Sequence, residues 1–187
     1  MSSRLRPLEL IAALPHRDWD QRLCIGANRW GGGRMAGPLF GAVSRLGDGP
    51  FWYVLMLVLA AFGGRQGRVT AVEMAAGGWI ALQLYRGLKR WTRRPRPFRA
   101  CPGVIARVPP LDEFSFPSGH TLHAVSFTVI ALDAFPLLAL LLLPFTLLIG
   151  LSRVILGLHY PSDVLAALGI GLLLGTTTLG LAHWLNL

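Results

Sequence analysis

The sequence has few charged residues, and those it has are strongly unbalanced. Charged residues make up 14% of the 187 positions, against about 25% in an ordinary soluble domain. Only 9 residues are acidic whereas 18 are basic, so the formal net charge is +9. Hydrophobic residues reach 53%. This composition excludes a disordered chain, which needs the reverse balance, and it disfavours a soluble globular protein.

Cysteine and lysine are both scarce. Cys24 and Cys101 are too few for a disulfide framework or a zinc site; one bridge is open to them, and buried thiols are the expected alternative. The chain has 17 arginines but a single lysine, Lys89, and six basic residues fall within positions 89–99. Such a cluster could bind nucleic acid, an anionic membrane surface or a phosphorylated substrate.

Long apolar stretches are abundant and predict membrane-spanning helices, each of which needs about 20 mostly apolar residues. Five spans are predicted, at residues 50–63, 69–88, 121–135, 137–158 and 164–185. Arginines and a run of three glycines interrupt residues 18–48. We expect interfacial helices there, with a sixth span as the alternative. The sequence therefore predicts an all-α fold, a polytopic transmembrane helical bundle.

No internal repeat divides the chain, so residues 1–187 are predicted to form one integral-membrane domain. Its parts are an N-terminal interfacial segment, 1–48, and a catalytic helical core, 50–185.

Three polar segments stand out. If successive spans cross the membrane in opposite directions, all three segments lie at the same membrane face. They are KRWTRRPRP at 89–97, PSGH at 117–120 and SRVILGLHYPSD at 152–163. Each suits a phosphate. Arginine and lysine side chains bind phosphate oxygens, PSGH can open a helix whose N-terminus favours an anion, and Arg153 is a functional candidate because it lies inside an apolar run.

His159 and Asp163 are four residues apart, so the carboxylate can orient the imidazole and leave one ring nitrogen free as a nucleophile. Pro161 lies between them, and the contact therefore depends on the local geometry. His120 can then protonate the leaving oxygen. These residues predict a phosphohistidine intermediate that water hydrolyses. Positive groups can stabilise the phosphoryl oxygens, so neither a metal ion nor a cofactor is expected.

Together, K-x6-RP, PSGH and SR-x5-H-x3-D resemble the three-part signature of the type 2 phosphatidic acid phosphatase (PAP2) superfamily, and every signature position is matched. The resemblance covers about residues 50–185. It implies that phosphate is bound by Lys89, Arg96, Ser118, Gly119 and Arg153. It also implies that His120 is the acid, His159 the nucleophile and Asp163 its orienting partner. The short chain is similar in architecture to the small bacterial undecaprenyl diphosphate phosphatases of that superfamily.

We therefore expect a membrane phosphatase that acts on a lipid phosphate or diphosphate, with undecaprenyl diphosphate as the leading substrate. Phosphatidylglycerol phosphate and phosphatidic acid are alternative substrates, and a lipid phosphotransferase is an alternative activity. A haloperoxidase fits poorly because the apolar spans suit a lipid-embedded site. The absence of His120, His159 or Asp163 would favour a transporter or a scaffold, but all three residues are present. Nucleic acid is not an expected partner, because the basic cluster lies between two spans.

The membrane orientation is predicted differently by two arguments. The resemblance to bacterial enzymes implies the inner membrane, with the active site facing the periplasm or outside. The positive-inside rule, applied to the basic loop, favours the cytoplasm. Substrate binding explains much of that charge, so we expect an outward-facing site.

The remaining polar residues near the motifs are predicted to have less specific roles. We expect headgroup or solvent contacts for Arg90, Arg93 and Arg94. Asp112 and Glu113 are expected to be solvated or to contact a polar headgroup, because their charge would repel phosphate.

Overall fold

The structure, a computed structural model, describes residues 17–185 and is helical along most of that range. Its α-helices are α1 (Arg17–Trp30), α2 (Ala36–Gly47), α3 (Pro50–Phe62), α4 (Gly64–Thr92), α5 (Pro97–Ala100), α6 (Gly119–Ala134), α7 (Ala139–Ile155) and α8 (Pro161–Trp184). A short 3-10 turn, Pro136–Leu138, leads into α7. The predicted all-α class is confirmed.

Prolines and one left-handed residue set several helix boundaries. Pro50 and Pro161 are the first residues of α3 and α8, where the fixed φ of proline suits the first turn and its missing N–H is not needed. Arg93 ends α4 with a φ of 47°. Pro144 lies within α7 without ending it.

Helix α6 lies at the centre and packs against α4, α7 and α8. Its buried residues point in every direction around the axis, as expected for a helix surrounded by others. The main core cluster includes Trp52 of α3, Met74 of α4, Phe127 and Ile130 of α6, and Leu142 of α7. The first turn of α6, which carries Gly119 and His120 of the PSGH motif, therefore begins a helix that has neighbours on several sides.

Two of the described helical stretches are long and apolar enough to cross a membrane. They are Pro136–Ile155, with a mean hydropathy of 2.2, and Pro161–Trp184, with a mean hydropathy of 2.0. Helices α2 and α3, bent by 46° relative to each other, could form a third. Exposed leucines such as Leu140 and Leu173 cover the outer faces, a surface expected next to lipid tails. The count of five spans stays a prediction.

Helices α1 and α2 fall within the segment predicted to be interfacial, and both pack against α7. The buried Asn28 amide donates to the carbonyl oxygens of Ile105 and Ile155, at 2.9 and 3.0 Å. A Cβ at Gly31 would lie 2.6 Å from the Ile155 side chain. These contacts hold the N-terminal helices close to the end of α7, where the third polar segment lies. The division of the chain at residue 48 stays a prediction.

Candidate active site

The three polar segments lie around one cavity of about 990 Å³. The predicted site residues that line it are Lys89, Arg96, Gly119, His120, Arg153 and His159. Ser118 and Asp163 are fully buried and connect to each other, because the Ser118 N–H donates to the Asp163 carbonyl oxygen at 3.3 Å. The structure thus brings all the predicted site residues into one region.

Lys89 and Arg96 reach the cavity from different elements. Lys89 lies in the last turn of α4, which ends at Thr92, and Arg96 lies in extended backbone just before α5. Both side chains contact the carboxylate of Asp112, Lys89 at 2.6 Å and Arg96 at 2.7 Å. The expectation that Asp112 contacts only solvent or a headgroup is therefore wrong.

Asp112 is held as an anion by its two cationic partners. Burial favours its neutral form, but hydrogen bonds from Lys89 and Arg96 outweigh this effect and keep the pKa of Asp112 below its ordinary value. Its position shortly before the PSGH motif could have indicated a place in the site. Its negative charge argued against this, because the neighbouring cations are predicted to bind phosphate.

His159 is buried and presents one ring nitrogen to a cation. Its Nε2 lies 3.3 Å from Nη1 of Arg96. Because a guanidinium only donates, Nε2 is assigned the lone pair and Nδ1 the proton. Burial, followed by the charges of Arg153, Arg96 and Lys89, holds the pKa of His159 well below its ordinary value. The ring is therefore neutral near pH 7, the form that a nucleophile requires.

The predicted contact between His159 and Asp163 is longer than a hydrogen bond. Nδ1 lies 3.6 Å from Oδ2 of Asp163, beyond the usual range of 2.7–3.2 Å. Within residues 17–185, this buried Nδ1 has no hydrogen-bond partner. Asp163 is nevertheless the carboxylate that faces the Nδ1 proton, so the orienting role stays a prediction supported by placement.

Asp163 is itself held by a network that the sequence did not indicate. Its Oδ2 accepts from the Tyr160 N–H at 2.9 Å, and its Oδ1 accepts from Arg94 at 2.5 Å. Arg94 also donates to Asp20 of α1 at 2.7 Å. Asp20 in turn accepts from the Ser162 N–H at 2.9 Å. The expectation that Arg94 contacts headgroups or solvent is therefore wrong. The sequence did not indicate a role for Asp20, because its partners are distant in the chain.

Arg153 and the start of α6 complete the polar end of the cavity. Arg153 is 3% exposed, it donates to the Ser44 hydroxyl of α2, and its buried Nε has no partner in the part of the chain described. Gly119 and His120 open α6, where free N–H groups favour an anion. The Ser118 hydroxyl lies 2.9 Å from that of Thr121.

The neighbouring polar residues behave largely as expected. Arg90 and Arg93 are exposed. Glu113 pairs with Arg99 at 3.4 Å on the surface. Cys24 and Cys101 are buried free thiols.

The same cavity extends from the charged groups along an apolar wall. Trp52 and Met56 of α3, Met74 and Leu82 of α4, and Phe127 of α6 line this part. A cavity with clustered cations at one end and apolar side chains along its length suits an amphiphilic anion.

Comparisons with known proteins agree with this arrangement. The sequence model of the PAP2 superfamily matches residues 51–186. Decaprenylphosphoryl-5-phosphoribose phosphatase of Mycobacterium tuberculosis is 31% identical over 138 residues, which cover 71% of this chain and 73% of the relative. Undecaprenyl-diphosphatase BcrC of Bacillus subtilis is 31% identical over 122 residues, 65% of this chain and 63% of the relative.

Two solved structures are also similar. The transmembrane PAP2-type phosphatidylglycerolphosphate phosphatase of Bacillus subtilis has a TM-score of 0.76 at 25% identity, covering 94% of this chain and 90% of that chain. LpxE of Aquifex aeolicus has a TM-score of 0.72 at 25% identity, covering 85% and 93%. These relatives and the apolar helices indicate an integral membrane protein. With the family match extending over most of the sequence, this chain belongs to the PAP2 superfamily and is a phosphatase of the PAP2 type.

Proposed function

We propose that this protein hydrolyses the terminal phosphate of a membrane lipid phosphate or diphosphate through a phosphohistidine at His159. The observation that carries the proposal is the placement of His159, whose Nε2 lies 3.3 Å from Nη1 of Arg96 in a cavity also lined by Lys89 and Arg153. A nucleophile beside clustered cations is the arrangement that phosphoryl transfer requires.

The reaction has two steps. In the first, Nε2 of His159 attacks phosphorus, the bond from phosphorus to the leaving oxygen breaks, and that oxygen takes a proton from His120. In the second, water attacks the phosphorus of the phosphohistidine, the bond from phosphorus to Nε2 breaks, His120 accepts a proton from the water, and inorganic phosphate leaves. Lys89, Arg96, Arg153 and the N-terminus of α6, with Gly119, stabilise the charge on the phosphoryl oxygens.

A polyprenyl diphosphate, with undecaprenyl diphosphate as the leading member, is the proposed substrate. The apolar wall of the cavity suits a long hydrocarbon tail. Support also comes from two relatives whose names contain polyprenyl groups, each 31% identical to this chain.

Phosphatidylglycerol phosphate is a second candidate. The phosphatase that acts on it in Bacillus subtilis has a similar structure, with a TM-score of 0.76. Phosphatidic acid and transfer of the phosphoryl group to another lipid are further alternatives for the same site.

We also propose that the active site faces the outside of a bacterial inner membrane. Lys89, Arg94 and Arg96 are engaged in ion pairs around the site. Because their charge has this local role, it is weak evidence for a cytoplasmic loop.

The first test is phosphate release by the purified full-length protein from undecaprenyl diphosphate, phosphatidylglycerol phosphate and phosphatidic acid in detergent micelles. We expect the fastest release from undecaprenyl diphosphate. His159→Ala is expected to lower release from every substrate by about a thousandfold or more, because the nucleophile is lost. His183→Ala, at the exposed end of α8, is the matched control.

Different outcomes separate the alternatives. Fastest release from phosphatidylglycerol phosphate would favour the second candidate, and phosphorylated lipid in the presence of an acceptor lipid would favour a transferase. Near-normal activity of His159→Ala would contradict the phosphohistidine mechanism.

A further inference from the structure

A carboxylate outside the three motifs lies beside His120. Asp48 occupies the turn between α2 and α3, and its Oδ1 is 3.1 Å from Nε2 of His120. Both residues line the active-site cavity. The His120 side chain is 9% exposed, and that of Asp48 is 41% exposed. The pair therefore lies at the boundary between the buried site and the open part of the cavity.

The turn that carries Asp48 is fixed on both sides. Gly49 has a φ of 129°, a conformation that favours glycine, and Pro50 then begins α3. The buried Trp52 indole donates to the Gly47 carbonyl oxygen at 3.2 Å. A Cβ at Gly47 would lie 2.7 Å from Ile149 of α7. Asp48 is thus held in place by packing and by backbone conformation, although its own side chain is partly exposed.

The cations around His120 disfavour its protonated ring, and the carboxylate of Asp48 opposes this effect. Arg153 reaches the cavity from α7, and Tyr85, Arg86 and Lys89 line it from α4. His123, one turn along α6, places its ring nitrogens 3.0 Å from the carbonyl oxygens of Gly119 and Gly78.

Two other carboxylates nearby are paired elsewhere. Asp112 binds Lys89 and Arg96, and Glu113 pairs with Arg99. Among the residues described, Asp48 is the carboxylate that lies within hydrogen-bond distance of His120.

We infer that Asp48 is a positioning residue for proton transfer by His120. Its carboxylate fixes the orientation of the imidazole and stabilises the doubly protonated ring from which the proton is delivered. His120 gives one ring proton to the leaving oxygen as the bond from phosphorus to that oxygen breaks, and Asp48 remains a carboxylate throughout. This inference rests on the proposed function, in which His120 is the acid.

The basicity of the leaving group distinguishes a role in proton transfer from a structural role. A structural defect lowers activity on every substrate alike, whereas a proton-transfer defect affects only substrates whose leaving group needs a proton. An alkoxide needs protonation as it leaves, whereas a nitrophenolate is a far weaker base and departs without help. For Asp48→Asn we expect kcat/KM to fall about 10- to 100-fold with dodecyl phosphate. This loss is somewhat smaller than the whole rate acceleration that a general acid supplies, because His120 itself remains. With para-nitrophenyl phosphate we expect a change of less than about threefold, because little protonation is needed.

Four further variants, one of them His120→Gln alone, complete the experiment. Asp48→Glu keeps the carboxylate and is expected to recover most of the dodecyl phosphate activity. Asp48→Asn combined with His120→Gln is expected to match His120→Gln alone, because residues that act as a unit are not additive. Asp133→Asn, which disrupts another carboxylate–histidine pair (3.5 Å from His183, with a carboxylate 43% exposed), is the matched control and is expected to resemble wild type.

The outcomes separate this inference from the proposed function. Wild-type protein that releases no phosphate from the three lipid substrates or from either probe, or active His159→Ala, would overturn the proposed function. Active wild type and inactive His159→Ala leave that function standing. The Asp48 inference is then overturned if Asp48→Asn loses equal kcat/KM on both probes or loses none. It is also overturned if the double variant is less active than His120→Gln alone. If Asp48→Asn does not fold, Asp48→Glu is the deciding variant. A ratio of its activities on the two probes that differs from the wild-type ratio overturns the inference.

Discussion

At the residue scale, Asp112 occupies the space between two cations that are proposed to bind phosphate. Its oxygens lie 2.6 Å from Lys89 and 2.7 Å from Arg96, distances typical of charge-assisted hydrogen bonds. A substrate phosphate that binds the same two cations competes with this carboxylate.

Replacing Asp112 with asparagine is therefore expected to tighten phosphate binding. The inhibition constant for inorganic phosphate should fall about fivefold, because competition from a partly exposed ion pair is worth about 1 kcal/mol. The measurement is inhibition of the wild-type and variant enzymes by inorganic phosphate at pH 7.

Glu113→Gln is the control for this experiment, since it makes the same change of charge at an exposed pair one residue away. Weaker phosphate inhibition of Asp112→Asn than of this control would mean that the carboxylate positions the cations and does not compete with the ligand.

Sequence motifs located the residues proposed to react but not the residues that hold them. Lys89, His120 and His159 were predicted because their spacing forms a signature. Arg94 and Asp112 were misassigned, because a charged side chain in a polar loop has the same sequence pattern whether it contacts solvent or a buried partner.

At the element scale, small residues on α8 allow it to approach α6 closely. Ala167 and Gly171 are buried on α8, and Gly175, one turn further, is buried as well. A Cβ at Gly171 would lie 2.8 Å from the Leu122 carbonyl oxygen, and one at Gly175 would lie 2.8 Å from Cβ of Val129. Small residues at every fourth position are typical of close helix contacts in membranes.

A methyl group at Gly175 should therefore be destabilising. Gly175→Ala is expected to lower the free energy of unfolding by about 1–3 kcal/mol, because it forces α6 and α8 apart. Thermal unfolding of the protein in detergent micelles measures the effect.

Gly169→Ala is the matched control in the same helix, because a Cβ there would meet nothing within 4 Å. It is expected to be neutral or to stabilise the protein by up to about 1 kcal/mol. Equal unfolding midpoints for the two variants would contradict the packing argument.

Hydropathy predicted the core helices well, with differences at their ends. The prediction for residues 69–88 corresponds to α4, which extends to Gly64 and Thr92. Polar ends of this kind are missed because hydropathy follows the apolar part of a helix, whereas hydrogen bonding continues into the polar turns that carry Lys89.

At the scale of the whole molecule, the first described helices contribute directly to the site. Asp20 of α1 binds Arg94, Ser44 of α2 binds Arg153, and Asp48 of the following turn binds His120. The catalytic end of the molecule is therefore assembled from N-terminal and C-terminal halves of the chain.

Membrane orientation can be tested with single added cysteines. Glu113 is exposed near the active site, and Arg65 is exposed at the other end of α4, whose 29 residues span about 43 Å. In intact cells, a membrane-impermeant thiol reagent should label Glu113→Cys and leave Arg65→Cys unlabelled until lysis. Cys24 and Cys101 are buried, so the unmodified protein is the control. The opposite labelling pattern would place the active site in the cytoplasm.

The sequence by itself determined the helical class, the family signature and the positions of the residues proposed to react with phosphate. Those features depend on local hydropathy and on spacing within short motifs, which are visible without a fold. Only the tertiary structure decided that Asp20, Asp48 and Asp112 partner the cations and the histidine of the site. Asp20 and Asp163, both bound to Arg94, are far apart in the chain, and such pairs form only when helix packing fixes the position of each backbone.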